Sequence, residues 1–488
     1  MDIFAVIDIG SNSVRLVVYE SLRRAPYVIF NEKILCGLGR GLSETGKMQD
    51  GPMQSAINSL KRFRLMLNNM DVKNYRVVAT SAVREATNGP EFVRRVRKEC
   101  KFDVSVIPGI EEARLSGLGV LCALPRAAGI VGDLGGGSLE LARISGGDVL
   151  ETASFAIGPL KYQNLEGTTI SSPKKDIDKA LESLDWKGDF QQENFYAVGG
   201  SWRAIAKIHI MEKDYALNNV HHYTMERDEA LVLTERLSHM TDAELSQYRV
   251  HISSRRLMVL SLAAYILHRL IKKLNSKRLV ISGYGLREGL LYENMKPDIR
   301  IRDPLIEACH EIAAHSGRFS EHGKRLQKWI DPLFPEDEFE ANRLRFAAAI
   351  LSDVGWRGHP EYKSEKVLYE ILHGRLLGVA HRGAAFLGLA LYICYGGKTG
   401  GHETRKVESL LKDSDIIYAN QVGLALRLAQ RISGGTAKGL KTASLEIVDG
   451  KLCLNVKKKY EGLVNEVVLE RFAKLAKGVS LSKEVRII

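Results

Sequence analysis

Asp8-Ile9-Gly10-Ser11-Asn12-Ser13-Val14-Arg15-Leu16 has a counterpart 125 positions on, in Asp133-Leu134-Gly135-Gly136-Gly137-Ser138-Leu139-Glu140-Leu141. Both copies fit Asp-x-Gly-x-x-Ser-x-x-Leu, and both follow an apolar run, Ile3–Ile7 in one case and Ile130-Val131 in the other. Apolar, β-branched residues on either side of a short polar turn read as a hairpin. One Asp-x-Gly is a frequent turn and would mean little. Two copies with matching flanks predict two similar lobes, each presenting one glycine-rich turn to a shared cleft.

Strands alternate with helices around the first copy. Val28–Leu35 reads as a third strand, Pro52–Met70 as a helix with apolar residues at Ile57, Leu60, Phe63 and Leu67, and Arg76–Ala79 as a short strand. Pro90–Cys100 is a helix with proline in its first turn, followed by a strand at Val104–Ile107 and a helix at Glu111–Leu124. The second lobe restarts at Gly129–Asp133. Two more glycine turns each follow a strand and precede a helix: Gly199-Gly200-Ser201 after Phe195–Val198, and Ser282-Gly283-Tyr284-Gly285 after Arg278–Ile281. Such turns commonly receive a phosphate. Asn294–Pro304 reads as a linker. From Leu305 to about Tyr395 the periodicity is helical, and the tail combines strand-like stretches at Ala443–Val456 with a final helix. The expected domains are lobe one at 1–124, lobe two at 125–300 and a mainly helical region at 305–488.

A chain of 488 residues is too long for one compact core. Its 45% hydrophobic and 26% charged residues are ordinary for a globular protein. No stretch reaches the ~20 apolar residues of a membrane span; Leu257–Leu267 and Gly383–Tyr395 read as buried helices, and no membrane partner is expected. The start carries Asp2 and no basic segment, so a signal peptide is not expected. The six cysteines form no CxxC pair, which argues against a zinc ribbon or a disulfide framework and fits a reducing, cytoplasmic setting. A net charge of +12 attracts polyanions. Aromatic residues are only 7% and do not interleave with basic ones, so specific nucleic-acid binding is not expected, whereas a phosphate polymer or a phosphorylated nucleotide fits.

Cleaving a phosphoanhydride requires donors around the phosphoryl oxygens, a cation over their charge and a positioned water. Gly10, Gly135, Gly136 and Gly137 let the backbone approach closely, and successive N–H groups can form an anion nest. Ser11, Asn12, Ser13 and Ser138 add side-chain donors. Asp8 and Asp133, at the ends of their strands, are placed to hold Mg²⁺, partly through waters.

With Thr80-Ser81-Ala82-Val83-Arg84-Glu85-Ala86, Gly109-Ile110-Glu111-Glu112-Ala113-Arg114 and Ser282-Gly283-Tyr284-Gly285-Leu286-Arg287-Glu288-Gly289, these turns make five motifs in order. The set resembles the exopolyphosphatase and guanosine pentaphosphate phosphatase (Ppx/GppA) family of the actin/Hsp70/sugar-kinase superfamily. The resemblance implies an α/β fold: two ribonuclease H-like (actin-like ATPase) lobes followed by a mainly helical, HD-like C-terminal domain. It implies that the second glutamate of the Glu-Glu-Ala-Arg motif, Glu112, orients or deprotonates the attacking water, with Glu111 as the alternative. Acids at 111 and 112 would equally suit the start of a helix. Arg84 is expected to reach into the cleft and neutralise developing charge, and Glu140 to join the metal or water network. Trp202-Arg203, after the third glycine turn, reads as helix–strand packing, with a grip on more distant phosphates as the other reading.

In the C-terminal region the place of an HD pair reads Ser352-Asp353, so a working metal site there is not expected. His310, His315, His322, His359, His373 and His381 read as ordinary core or surface residues. Lys324, Arg325, Lys328, Arg343, Arg345, Arg382 and Lys398 are candidates for a basic channel. The expected activity is hydrolysis of the terminal phosphoanhydride of inorganic polyphosphate, with Mg²⁺ and room for another divalent or a monovalent cation such as K⁺. A guanosine pentaphosphate (pppGpp) phosphohydrolase and a non-hydrolytic polyphosphate or nucleotide sensor are the alternatives. A homodimer is also expected.

Overall fold

The computed structural model describes residues 3–162, 171–186, 190, 192–318, 322–335, 338–374 and 376–488; Asp2 lies outside them. It divides into two compact units, one of residues 1–214 and 218–302, the other of residues 215–217 and 303–488.

The first unit contains two sheets. The strands of the first are β1 (Phe4–Ile9), β2 (Ser13–Tyr19), β3 (Val28–Leu35), β4 (Asn74–Ala79) and β5 (Ser105–Val106), in the order β3-β2-β1-β4-β5. The second uses β6 (Gly129–Leu134), β7 (Leu139–Ser145), β8 (Asp148–Phe155), β9 (Asn194–Val198), β10 (Thr224–Glu226) and β11 (Arg278–Ile281), in the order β10-β11-β9-β6-β7-β8. Set side by side, β6, β7, β8, β9 and β11 repeat the neighbours of β1, β2, β3, β4 and β5, and β10 is an added edge strand. The repeat seen in nine residues is therefore a repeat of whole sheets.

Period-two alternation buries both faces of the first sheet. Ala5, Ile7 and Ile9 of β1 join Val14, Leu16 and Val18 of β2 against the helices Asp50–Asn69 and Gly89–Cys100. The opposite face, with Phe4, Val6, Val17 and Val78, is covered by Leu286, Leu290 and Leu291 of the helix Leu286–Asn294. The helix Gly109–Ala123 sets Ala113, Val120 and Leu121 against Val131, Ala142 and Val198 of the second sheet. A division at 124/125 separates the two sets of strands but not their helices, because the helix Leu286–Asn294 lies on the first sheet. The two helices touch through glycine. A Cβ on Gly119 would stand 2.1 Å from the Gly285 carbonyl oxygen, and one on Gly289 would stand 1.9 Å from that of Leu115. On the other face of the second sheet, Trp202 is fully buried edge-on to Phe195 and donates its indole N–H to the Ala263 carbonyl at 3.0 Å.

The second unit is largely helical. Its core joins Leu305 and Cys309, Ala347–Leu351, Ala385–Cys394 and Val422–Ile432. The tail departs from the expected final helix. The helix Glu466–Gly478 is followed by β14 (Ser482–Ile487), which pairs in parallel with β13 (Lys451–Val456), itself antiparallel to β12 (Ala443–Val448). The charges of Lys483, Glu484 and Arg486 disguise this edge strand, where polar side chains guard against stray pairing. All six cysteines are free. No helix among the described residues is long and apolar enough to cross a membrane.

Candidate active site

Both copies of the opening motif close their hairpins in the same way. The Gly10 N–H donates to the Ser13 carbonyl at 3.0 Å, and the Gly135 N–H to that of Ser138 at 2.9 Å. The N–H groups of Ser11, Asn12, Gly136 and Gly137 find no acceptor among the described residues, which leaves donors in both turns. The turns meet. Ser11 Oγ is 2.7 Å from Ser81 Oγ, and a Cβ on Gly137 would fall 2.6 Å from that same Ser81 oxygen. Gly10, Ser11, Asn12, Ser13, Gly135, Gly136 and Ser138 line one cavity of about 670 Å³, whereas Gly137 packs behind it.

Register arranges the charges. Asp8 pairs with Arg15, which pairs with Lys33, so the three form a row on one face across β1, β2 and β3. In the second lobe the same register opposes Asp133 to Glu140. Asp8 and Asp133 both line the cavity. Burial raises both carboxyls; Arg287, Arg15 and Lys33 oppose this at Asp8, and a hydrogen bond from Ser116 Oγ at 2.5 Å opposes it at Asp133. Glu140 occupies a different position. Only 1% exposed, it accepts from Ser154 Oγ at 3.1 Å and is absent from the cavity wall. Burial and then the neighbouring Glu112 hold its carboxyl well above the usual range.

The helix Gly109–Ala123 begins hard against β8, since a Cβ on Gly109 would lie 2.1 Å from Ser154 Oγ. That close start brings Glu112 to the cavity wall, buried. Glu111 points elsewhere and is clamped by Arg114 at 2.6 Å, with Arg114 also bonded to Glu293. Burial foremost, then the negative charge of Asp133, pushes the Glu112 carboxyl up to about 8 against the pull of Arg84. Arg84 does not line the cavity. Its Nη1 donates to Glu112 Oε2 at 3.2 Å and to the Ile107 carbonyl at 2.9 Å, so it acts on Glu112 where an open reach into the cleft was expected.

Cations line the rest of the wall: Arg15, Lys33, Arg203, Arg255, Arg256 and Arg287. Arg287 Nη1 lies 3.7 Å from Asp8 Oδ2. Arg203, which burial and Arg287 push down to about 10, shares the wall with the Gly199-Gly200-Ser201 turn. The Trp202-Arg203 pair thus divides, with tryptophan in the core and arginine in the cavity. The arrangement can surround several phosphates with backbone donors and cations, with the carboxyls of Asp8, Glu112 and Asp133 at the wall.

Two family models match the chain: the Ppx/GppA phosphatase family over residues 17–297, and the C-terminal region of exopolyphosphatase over residues 305–485. This chain belongs to the Ppx/GppA phosphatase family. Among its relatives is a guanosine-5'-triphosphate,3'-diphosphate pyrophosphatase of Pseudoalteromonas atlantica, 27% identical over 74% of this chain and 73% of that relative. Among solved structures, an Aquifex aeolicus member of the family is 26% identical with a TM-score of 0.51, covering 60% of this chain and 97% of that one. An exopolyphosphatase from Cytophaga hutchinsonii is 25% identical with a TM-score of 0.53, covering 60% and 97%.

Within this Ppx/GppA phosphatase, the cavity cations are what reading the sequence for motifs misses. Arg15 and Lys33 were within reach, since Arg15 lies in the first repeat and its strand alternates buried Val14 and Leu16 with outward Ser13 and Arg15. Arg287 stands inside a quoted motif. Arg256 has no sequence signal, because only the fold carries the short helix Ser254–Leu257, just before the helix Leu260–Leu274, to the cavity.

Proposed function

We propose that this phosphatase is an exopolyphosphatase that hydrolyses the terminal phosphoanhydride of inorganic polyphosphate and releases orthophosphate. The observation that carries this reading is the number of cations on the wall facing Glu112, more than one phosphoryl group requires. Arg15, Lys33, Arg203, Arg256 and Arg287 suit a run of phosphates, with the two turns holding the terminal one. The water oxygen forms a bond to the terminal phosphorus, the bridging P–O bond breaks, and the water proton passes to Glu112. Arg84 positions Glu112 and sets its charge.

Asp8 and Asp133 are the residues that would hold Mg²⁺. This ion takes one or two carboxylates and completes its shell with waters and substrate phosphates. Two cavity carboxylates meet that demand, and the described residues contain no cluster of three or more His, Cys, Asp or Glu side chains that would cage a metal alone. When bound there, Mg²⁺ offsets charge on the phosphoryl oxygens and, by neutralising Asp133, returns Glu112 toward its ionised form. Glu140, behind the wall, is left out of this ligand set.

The name of the Pseudoalteromonas relative supports a second reading, pppGpp as substrate. Phosphate release from long polyphosphate, tripolyphosphate and pppGpp, each competed against the others, tests both. Higher kcat/KM on long chains is expected; preference for pppGpp would replace the first reading with the second, and no release from any of the three would remove both.

A further inference from the structure

The second unit has a cavity of its own, about 390 Å³, walled by Arg318, Lys363, Arg427, Arg431 and Arg471 around Asp353. Asp353 is already satisfied: Arg318 donates its backbone N–H at 2.6 Å and its Nε and Nη2 at 2.9 and 2.6 Å. Lys363, Arg427, Arg431 and Arg471 have no carboxylate within ion-pair distance among the described residues. Like charges gathered in a concave wall repel one another and raise the local concentration of anions. Burial foremost, then the charges of Arg427 and Arg431, lowers the proton affinity of the Arg471 guanidinium.

The wall is braced before any ligand arrives. The Tyr395 hydroxyl accepts from the Gly355 N–H at 2.9 Å and donates to the Ser352 carbonyl at 2.8 Å, and the Trp356 indole donates to the Ser316 carbonyl at 3.0 Å. Gly396, at φ +110, leaves room for the Arg427 guanidinium, since a Cβ there would stand 3.0 Å from its Nη2. A preformed wall reduces the ordering cost of binding. The residues are not those of the channel expected from sequence. Arg343 is paired with Asp303, Arg345 with Asp331 and Arg382 with Asp415.

We infer that this cavity is a non-hydrolytic binding site for a compact ligand carrying two or more phosphate groups. Among the described residues the one carboxylate of the wall, Asp353, is held by Arg318 and is not free to activate water, so the site binds and does not cleave. Arg471 Nη1 donates to the Arg427 carbonyl at 3.3 Å, and guanidinium groups that lack a carboxylate partner favour phosphate oxygens by forked hydrogen bonds. The ligand is either an inorganic condensed phosphate or the diphosphate of a nucleotide, for which Trp356 and Tyr395 offer aromatic surface.

Calorimetric titration of the full chain with methylenediphosphonate and, separately, with guanosine 5'-(α,β-methylene)diphosphate tests this, since neither bridge is cleavable. The wild type is expected to show a binding component that weakens at least about tenfold in Arg427→Ala/Arg471→Ala. The substitution Arg431→Glu, at an exposed position of the wall, should weaken the same component, and Arg203→Ala in the other cavity should spare it. The probe that binds more tightly at this component identifies the source of the phosphate. If both probes titrate identically in wild type and in the Arg431→Glu protein, the inference is overturned.

Discussion

Glu112 lines a cavity that favours its protonated form, and among the described residues Arg84 is the cation bonded to it. If it handles the proton of the attacking water, Glu112→Gln should lower kcat about 10²–10⁴-fold with little change in KM, as steady-state phosphate release would show. Glu111→Gln, at a side chain bound to Arg114, should leave kcat close to the wild-type value in the same assay. Lys33 carries a pH prediction. Partial burial and then the positive charges of Arg256, Arg15, Arg287 and Arg203 push its amine down to about 8. Below that pH it is charged and attracts phosphate; above it the charge is lost. KM for an anionic substrate should therefore rise as pH increases through about 8, and Lys33→Arg, which keeps its charge, should flatten the rise. At this scale the sequence told only part of the story. The turn residues are legible because glycine and serine at fixed spacing have a backbone meaning, but Arg256 reaches the cavity through tertiary folding alone.

Among the elements, the helices Gly109–Ala123 and Leu286–Asn294 set how closely the two sheets approach. Their glycines place backbone against backbone, and Glu112 rides on the first of them. Gly119→Ala forces a methyl group onto the Gly285 carbonyl and should destabilise the unit by about 1–3 kcal/mol. A lower Tm accompanied by reduced kcat at a permissive temperature would show that the same contact serves stability and the site. The sequence located the first helix within about two residues and placed the start of the second after the Ser282–Gly285 turn, yet it could not say which sheet each would cover. Amphipathic spacing marks a buried face without naming its partner. The terminal strand was hidden for the opposite reason, its charges belonging to an edge position.

Taken whole, the molecule carries a net charge of +12. Much of its attraction for a long polyanion acts at distances that salt screens, whereas contacts inside the cavity are screened less. Raising ionic strength from low values to about 0.15 M should reduce kcat/KM for long polyphosphate more than for tripolyphosphate. Equal salt slopes for the two would mean that charge outside the cavity plays no part in capture.

The first sheet receives the helix Leu286–Asn294 on its Phe4, Val6 and Val17 face. That places an order on biogenesis. A nascent chain emerges from its N-terminus, so the opening strands must wait for nearly the whole unit to be synthesised before that face is covered. Until then an apolar surface is exposed, and a fragment of residues 1–124 should lack a cooperative thermal transition while one of residues 1–302 regains it. The earliest-made strands are thus the last to be sealed, because the helix that covers them comes late in the chain.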